Sequence, residues 1–188
     1  MENLHTVKHE TEKTLEIKKS QFIAHLVPIT DFESTLQHLH ETHKKARHFV
    51  WASRLLNKHQ QIVENCTDDG EPRNTSGKPT LKVLQGHEII NAAIITVRYF
   101  GGIKLGTGGL VRAYNDAAQL IISHAVLIPL NNLHKETIRV TYQQIHHVEY
   151  LLKKHTIKVH NKEFSAEYID LVLQGEKSLI TEIVAQLK

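Results

Sequence analysis

Cysteine occurs once in the 188 residues, at Cys66. A disulfide framework within the chain is therefore excluded, and so is a cysteine-rich zinc site. Long hydrophobic runs are also missing. None nears the ~20 apolar residues of a membrane span. The polar opening MENLHTVKHETEKTLEIKK has no signal-peptide core. A cytoplasmic setting with no membrane contact is the expectation. There is little excess charge of either sign. The formal net charge is +3, and neither half is strongly basic. Any binding of nucleic acid has to come from a local patch rather than from bulk charge. Internal repeats and low-complexity tracts are absent. So are the zinc-protease H-E-x-x-H, the nucleophile elbow G-x-S-x-G, the Walker loop, the dinucleotide G-x-G-x-x-G and the EF-hand spacing.

What is present suffices for a core. Apolar residues make up 40% of the chain. TLEIK and FIAHLVPI, within residues 13–29, read as two strands. Thr30 and Glu33 have capping-box spacing and open a helix ending near Lys44–Lys45. HFVWASRLL and QQIVENC read as strands, residues 67–79 as a loop, and TLKVLQ as a short helix. AAIITVRYF reads as a buried strand. A helix then runs from about Thr107 to about Ala125, with Leu110, Ala113, Tyr114, Ala117 and Ile121 on one face and an Arg112–Asp116 pair on another. Residues 129–136 read as a linker. After it the order is strand, helix, strand, an NKE turn, strand, helix, a split-βαβ arrangement of ferredoxin-like type. Two α+β domains follow, 1–130 and 131–188. The fifteen histidines, among them His38, His40 and His43 on the first helix, read as solvated surface groups.

Two loops carry candidate chemistry. RYFGGIKLGTGGLVRAY holds Gly101, Gly102, Gly106, Gly108 and Gly109, with Arg98, Lys104 and Arg112 in or beside the run. A strand, a glycine turn and a helix start expose N–H groups and a positive dipole end, so an anion site and a plain tight crossover both fit. CTDDGEP places Asp68, Asp69 and Glu71 around Gly70. Those carboxylates could hold a divalent ion, pair with the nearby cations, or form a solvated turn. No metal site and no cofactor is assigned.

In combination the blocks ARHFVWA, TDDGEPRNTSGKPTLKVL and TVRYFGGIKLGTGGLVRAY resemble the Impact ("imprinted and ancient") family, in its bacterial two-domain form. The resemblance implies an α+β N-terminal domain like the second domain of ribosomal protein S5. It implies a small ferredoxin-like C-terminal domain similar to the last domain of elongation factor G. Eukaryotic members regulate translation under amino-acid starvation by competing for a protein activator of an initiation-factor kinase. Bacterial two-domain members have no settled activity. The matched positions are His48, Asp68, Asp69, Glu71, Lys78, Arg98, Lys104 and Arg112. Arg73 and Asn74 stand where the family has Ser and Gly, and Ser76 where Ala is usual; Asn tolerates a left-handed backbone, so the turn survives.

The expected function is a translation-associated regulatory or binding protein without catalysis. Its partner would be RNA, the ribosome or an acidic translation-related protein. It would use a groove between the acidic turn and the glycine loop, lined by Lys78, Arg98, Lys104, Arg112 and the five glycines. The alternative is a metal-dependent phosphoester hydrolase, with His48 as base and the acidic loop holding the ion.

Overall fold

The computed structural model describes residues 4–130, 133–155 and 157–187. Contacts divide the chain into two compact units, one ending at Ile128 and one starting at Pro129.

The first unit is built on a five-stranded antiparallel sheet. Its strands are β2 (Thr11–Ile17), β3 (Ser20–Pro28), β4 (His48–Leu56), β5 (Ile62–Thr67) and β6 (Ala92–Tyr99), in the order β2-β3-β6-β4-β5. A short β1 (His5–Val7) pairs with β7 (Leu127–Pro129). The central strand β6 is buried from Ala92 to Arg98, as its unbroken apolar run requires. Its side chains alternate between two cores. Ala92 and Ile94 pack with α2 (Gly77–Gly86) and α3 (Gly106–His124), against Leu84, Leu110, Ala113, Tyr114 and Ala117. Ala93, Ile95 and Val97 pack under α1 (Phe32–Thr42), against Leu39 and Phe49.

Two expectations about this unit need correction. The first helix does not open on a Thr30–Glu33 box. A 3₁₀ turn at Ile29–Asp31 precedes it, and the Thr30 hydroxyl donates to the Asp31 carboxylate at 2.7 Å. Nor are all the histidines solvated. His40 stacks on Phe49 with centroids 3.8 Å apart, and the His43 Nδ1 is 2.9 Å from the Tyr99 hydroxyl. Burial, with His25 nearby, holds the His43 imidazole below its ordinary range. His25 itself is buried on β3 beside Glu10, at 2.8 Å.

The second unit has strands β8 (Leu133–Thr141), β9 (Lys158–Phe164) and β10 (Tyr168–Glu176), with α4 (Ile145–Lys154) and α5 (Lys177–Gln186). The last strand lies between the other two and is antiparallel to both. That is the split βαβ without a closing strand. Ile138, Val140, Leu151, Leu152, Leu171, Leu173, Ile180 and Ile183 form its core. The NKE tripeptide is not a turn: Asn161, Lys162 and Glu163 continue β9. The strand is exposed along nearly its whole length, so polar residues fit it, and the reversal falls after Phe164 instead. The linker expected at 129–136 lies partly outside the described residues, and strand pairing has begun by Leu133.

Candidate functional site

The acidic turn folds around its own carboxylates. Asp68 Oδ1 accepts from the Ser76 hydroxyl at 2.7 Å, the Gly77 N–H at 2.9 Å and the Ser76 N–H at 3.1 Å. Its Oδ2 accepts from the Asn74 N–H at 2.7 Å. Asp68 thus satisfies donors that the start of α2 leaves open. Asn74 takes φ +64°, the left-handed conformation expected of it, and this turns its N–H toward Asp68. Partial burial pushes the Asp68 carboxyl up, but the bonds from Ser76, Asn74 and Gly77 outweigh it and hold the group below its usual range. The stabilisation is therefore complete above the unfolded pKa and is lost as pH falls through the lower folded one. In melts from about pH 6 down to about pH 2, wild type should lose stability on the acid side. Asp68→Asn should start lower and show a smaller acid loss. An equal acid loss in the variant would contradict the assignment.

Asp69 and Glu71 are also committed. Asp69 Oδ2 accepts the Phe49 N–H at 2.6 Å, and the Asp69 carbonyl accepts from His48 Nδ1 at 2.8 Å. His48 Nδ1 is therefore the donor in this bond, because a carbonyl oxygen can only accept. Glu71 Oε1 accepts from Arg98 Nη1 at 2.5 Å and from the Tyr114 hydroxyl at 2.9 Å. All three of these side chains are buried. Burial, reinforced by Glu71, pushes the Tyr114 hydroxyl far above its ordinary range, so it serves only as a donor here.

Arg98 is accordingly not a wall of an open groove. It lies on the same side of β6 as Ile94 and Thr96 and is 6% exposed. A charge in that setting must be paired, and Glu71 pairs it. Its Cζ lies 5.4 Å from the centroid of buried Phe22 and 5.8 Å from that of Phe100. Arg98 and Glu71 drop out as direct ligand contacts.

The hydrolase expectation loses its basis in the same way. It needed Asp68, Asp69 and Glu71 to gather round an ion, and each points to a different structural partner. Among the described residues no group of three His, Cys, Asp or Glu is placed to hold a metal. Cys66 remains open to solvent, and partial desolvation by its neighbours together with the Asp68 charge raises its thiol above the ordinary range, so it is not an activated nucleophile.

The glycines divide by role. A Cβ on Gly101 would lie 2.1 Å from the Lys19 carbonyl carbon, so Gly101 lets the loop rest on the β2–β3 turn. Gly102 and Gly106 take φ +84° and +72°. Gly108 faces open space, and Gly109 approaches only Leu105. Gly106 and Gly108 lie in the first turn of α3, whose N-terminus bears no side-chain cap.

The remaining cations face outward. Lys78 and Lys82, one turn apart on α2, line a cleft with Asn74, Pro79, Val111 and Asn115. Arg112, beside Val111 on α3, is exposed, and so are Lys104 and Arg73. Arg112 does not pair with Asp116. Among the described residues none of these five cations has an ion-pair partner. Lys82 joins Lys78 on the cleft, a neighbour that the sequence motifs did not include; the i, i+4 spacing of the two lysines was its signal.

The family model described as the Impact N-terminal domain matches residues 18–122. The chain is also 34% identical over 177 residues to an IMPACT family member of Haemophilus influenzae, covering 92% of this chain and 84% of that one. The chain belongs to the Impact family. The Escherichia coli IMPACT family member YigZ is 34% identical over 156 residues, covering 80% of this chain and 76% of that protein. A crystal structure described as that of a hypothetical protein superposes with a TM-score of 0.62 at 30% identity. It covers 100% of this chain and 92% of that one. The Impact match spans the acidic turn, the buried Glu71–Arg98–Tyr114 cluster and the glycine loop alike. No helix among the described residues is long and apolar enough to cross a membrane.

Proposed function

We propose that this Impact protein is a non-enzymatic, translation-associated binding protein that holds RNA phosphates on the α2–α3 face of its N-terminal unit. One observation carries the reading. The carboxylates of the acidic turn are spent on internal donors, while Lys78, Lys82 and Arg112 stand outside with no ion-pair partner among the described residues. Within the turn the carboxylates are bonded to the chain's own donors, whereas Lys78, Lys82 and Arg112 are exposed, as is Asp116 on α3. The chain as a whole is nearly neutral, so this face supplies the local patch that RNA binding requires. Translation is the setting that the family resemblance implies, and cytoplasmic ribosomal RNA is the natural polyanion there.

Phosphate contacts release counterions, so affinity falls linearly with log salt, with a slope of about 0.7 per contact on single strands. Replacing Lys78, Lys82 and Arg112 together by Gln should flatten that slope by about 2. Affinity should drop without change in the melting temperature. The loss should be alike for RNAs of different sequence, because phosphate contacts carry no sequence information. An unchanged slope with binding retained would overturn the proposal. Binding of an acidic polypeptide, but not RNA, to the same face would transfer it to a protein partner.

A further inference from the structure

The β2–β3 connection breaks the usual chemistry of its turn. Ile17 pairs with Ser20, so the loop has two residues, Lys18 and Lys19. Both have positive φ, +47° and +66°. Two-residue hairpins of this kind favour Asn-Gly, because side chains larger than Asn are strained there. Here two lysines occupy the strained positions, and both are exposed. The glycine loop lies directly on this turn at Gly101. The preceding residue, Phe100, is 56% exposed. Arg98 lies over its ring, and Arg98 is itself fixed by Glu71. Phe100 is thus an exposed aromatic ring backed by a rigid buried cation. Lys18, Lys19 and Lys104 stand on the two loops that carry it. None of these lysines has an ion-pair partner among the described residues.

We infer that Phe100 is a stacking platform for one unpaired RNA base, with Lys18, Lys19 and Lys104 holding the flanking phosphates. The inference rests on the RNA reading above and extends it from phosphates to the strand's state. An aromatic ring serves any base, and only an unpaired base offers its face. Lys18, Lys19 and Lys104 are exposed on the loops that carry the ring, which suits a strand carrying phosphate on both sides of the stacked base. The backing by Arg98 holds the ring in place before the ligand arrives, so little ordering entropy is lost on binding.

The test uses the full chain, a ten-nucleotide single-stranded RNA and an RNA duplex of equal length. Phe100→Ala should weaken single-strand binding about tenfold, from the usual worth of one stacked base. It should leave the salt slope and the duplex affinity unchanged. Phe100→Trp, placed in a Trp51→Phe background, should bind normally and lose fluorescence on adding the single strand. Lys18→Asn with Lys19→Gly should raise the melting temperature and flatten the single-strand salt slope. Wild-type single-strand affinity in Phe100→Ala, or equal losses for duplex and single strand, would overturn the platform. In that case an intact salt slope would leave the RNA reading standing. Competition by an acidic peptide in a Phe100-dependent manner would instead assign the ring to a protein partner. If wild type binds neither RNA, both readings fall.

Discussion

Arg98→Ala is expected to destabilise the N-terminal unit by about 3–5 kcal/mol in urea denaturation. The substitution leaves the Glu71 carboxylate buried with only the Tyr114 hydroxyl for company. Uncompensated buried charge is the dominant cost, larger than the lost packing against Phe22. Glu71→Ala should cost a similar amount by stranding the guanidinium. The double substitution Arg98→Met with Glu71→Leu removes both charges and should be far less harmful than the sum of the singles. Additive losses would show that the pair does not act as a unit. The double variant should also keep the wild-type salt slope for RNA, because Arg98 is buried and paired with Glu71 rather than facing a phosphate.

Gly101→Ala is the second large effect. The new methyl would lie 2.1 Å from the Lys19 carbonyl carbon and 2.3 Å from its oxygen, and neither is the end of a flexible side chain. The glycine loop must lift off the β2–β3 turn, breaking the bond from the Gly101 N–H to the Ser20 hydroxyl at 3.1 Å. A loss of about 3 kcal/mol or more is expected. Gly108→Ala provides the contrast. Its methyl meets nothing within 4 Å, and the position is helical. Alanine there should stabilise α3 by up to about 1 kcal/mol. Two glycines of one motif should therefore give opposite signs in the same denaturation assay. Equal effects would contradict the division of roles.

The architecture was legible because hydrophobic period and topology agree along most of the chain. The unbroken run at Ala92–Arg98 has to be covered on both faces, and it is. The βαββα order of the second unit leads to the observed antiparallel sheet. The site was legible only in part. The pairing of Glu71 with a nearby cation is among the arrangements the sequence allows, but Arg98 belongs to a charged type that normally stays in water, so its sequence reading is an open ligand contact. The corrective signal was the two-residue alternation of β6, which puts Arg98 on the side of Ile94 and under α3. Asn74 was read correctly because a single residue's tolerance of positive φ decides that turn. TLEIK and FIAHLVPI read as separate strands, but lysine gives no turn signal, so only the pairing of Ile17 with Ser20 places the reversal at Lys18 and Lys19. The burial of His25 comes from its place on β3 between β2 and β6, a pairing that local sequence does not show.

If the outward cations on α2 and α3 bind RNA and the acidic turn only shapes their support, a bound strand lies against α2 and α3. Crosslinking the purified chain to a short RNA and mapping the modified peptides would locate the strand. Adducts should concentrate on the peptides holding Lys78, Lys82 and Arg112, and should vanish at high salt. Adducts confined to the α1 side of the sheet, or to the second unit, would contradict that placement.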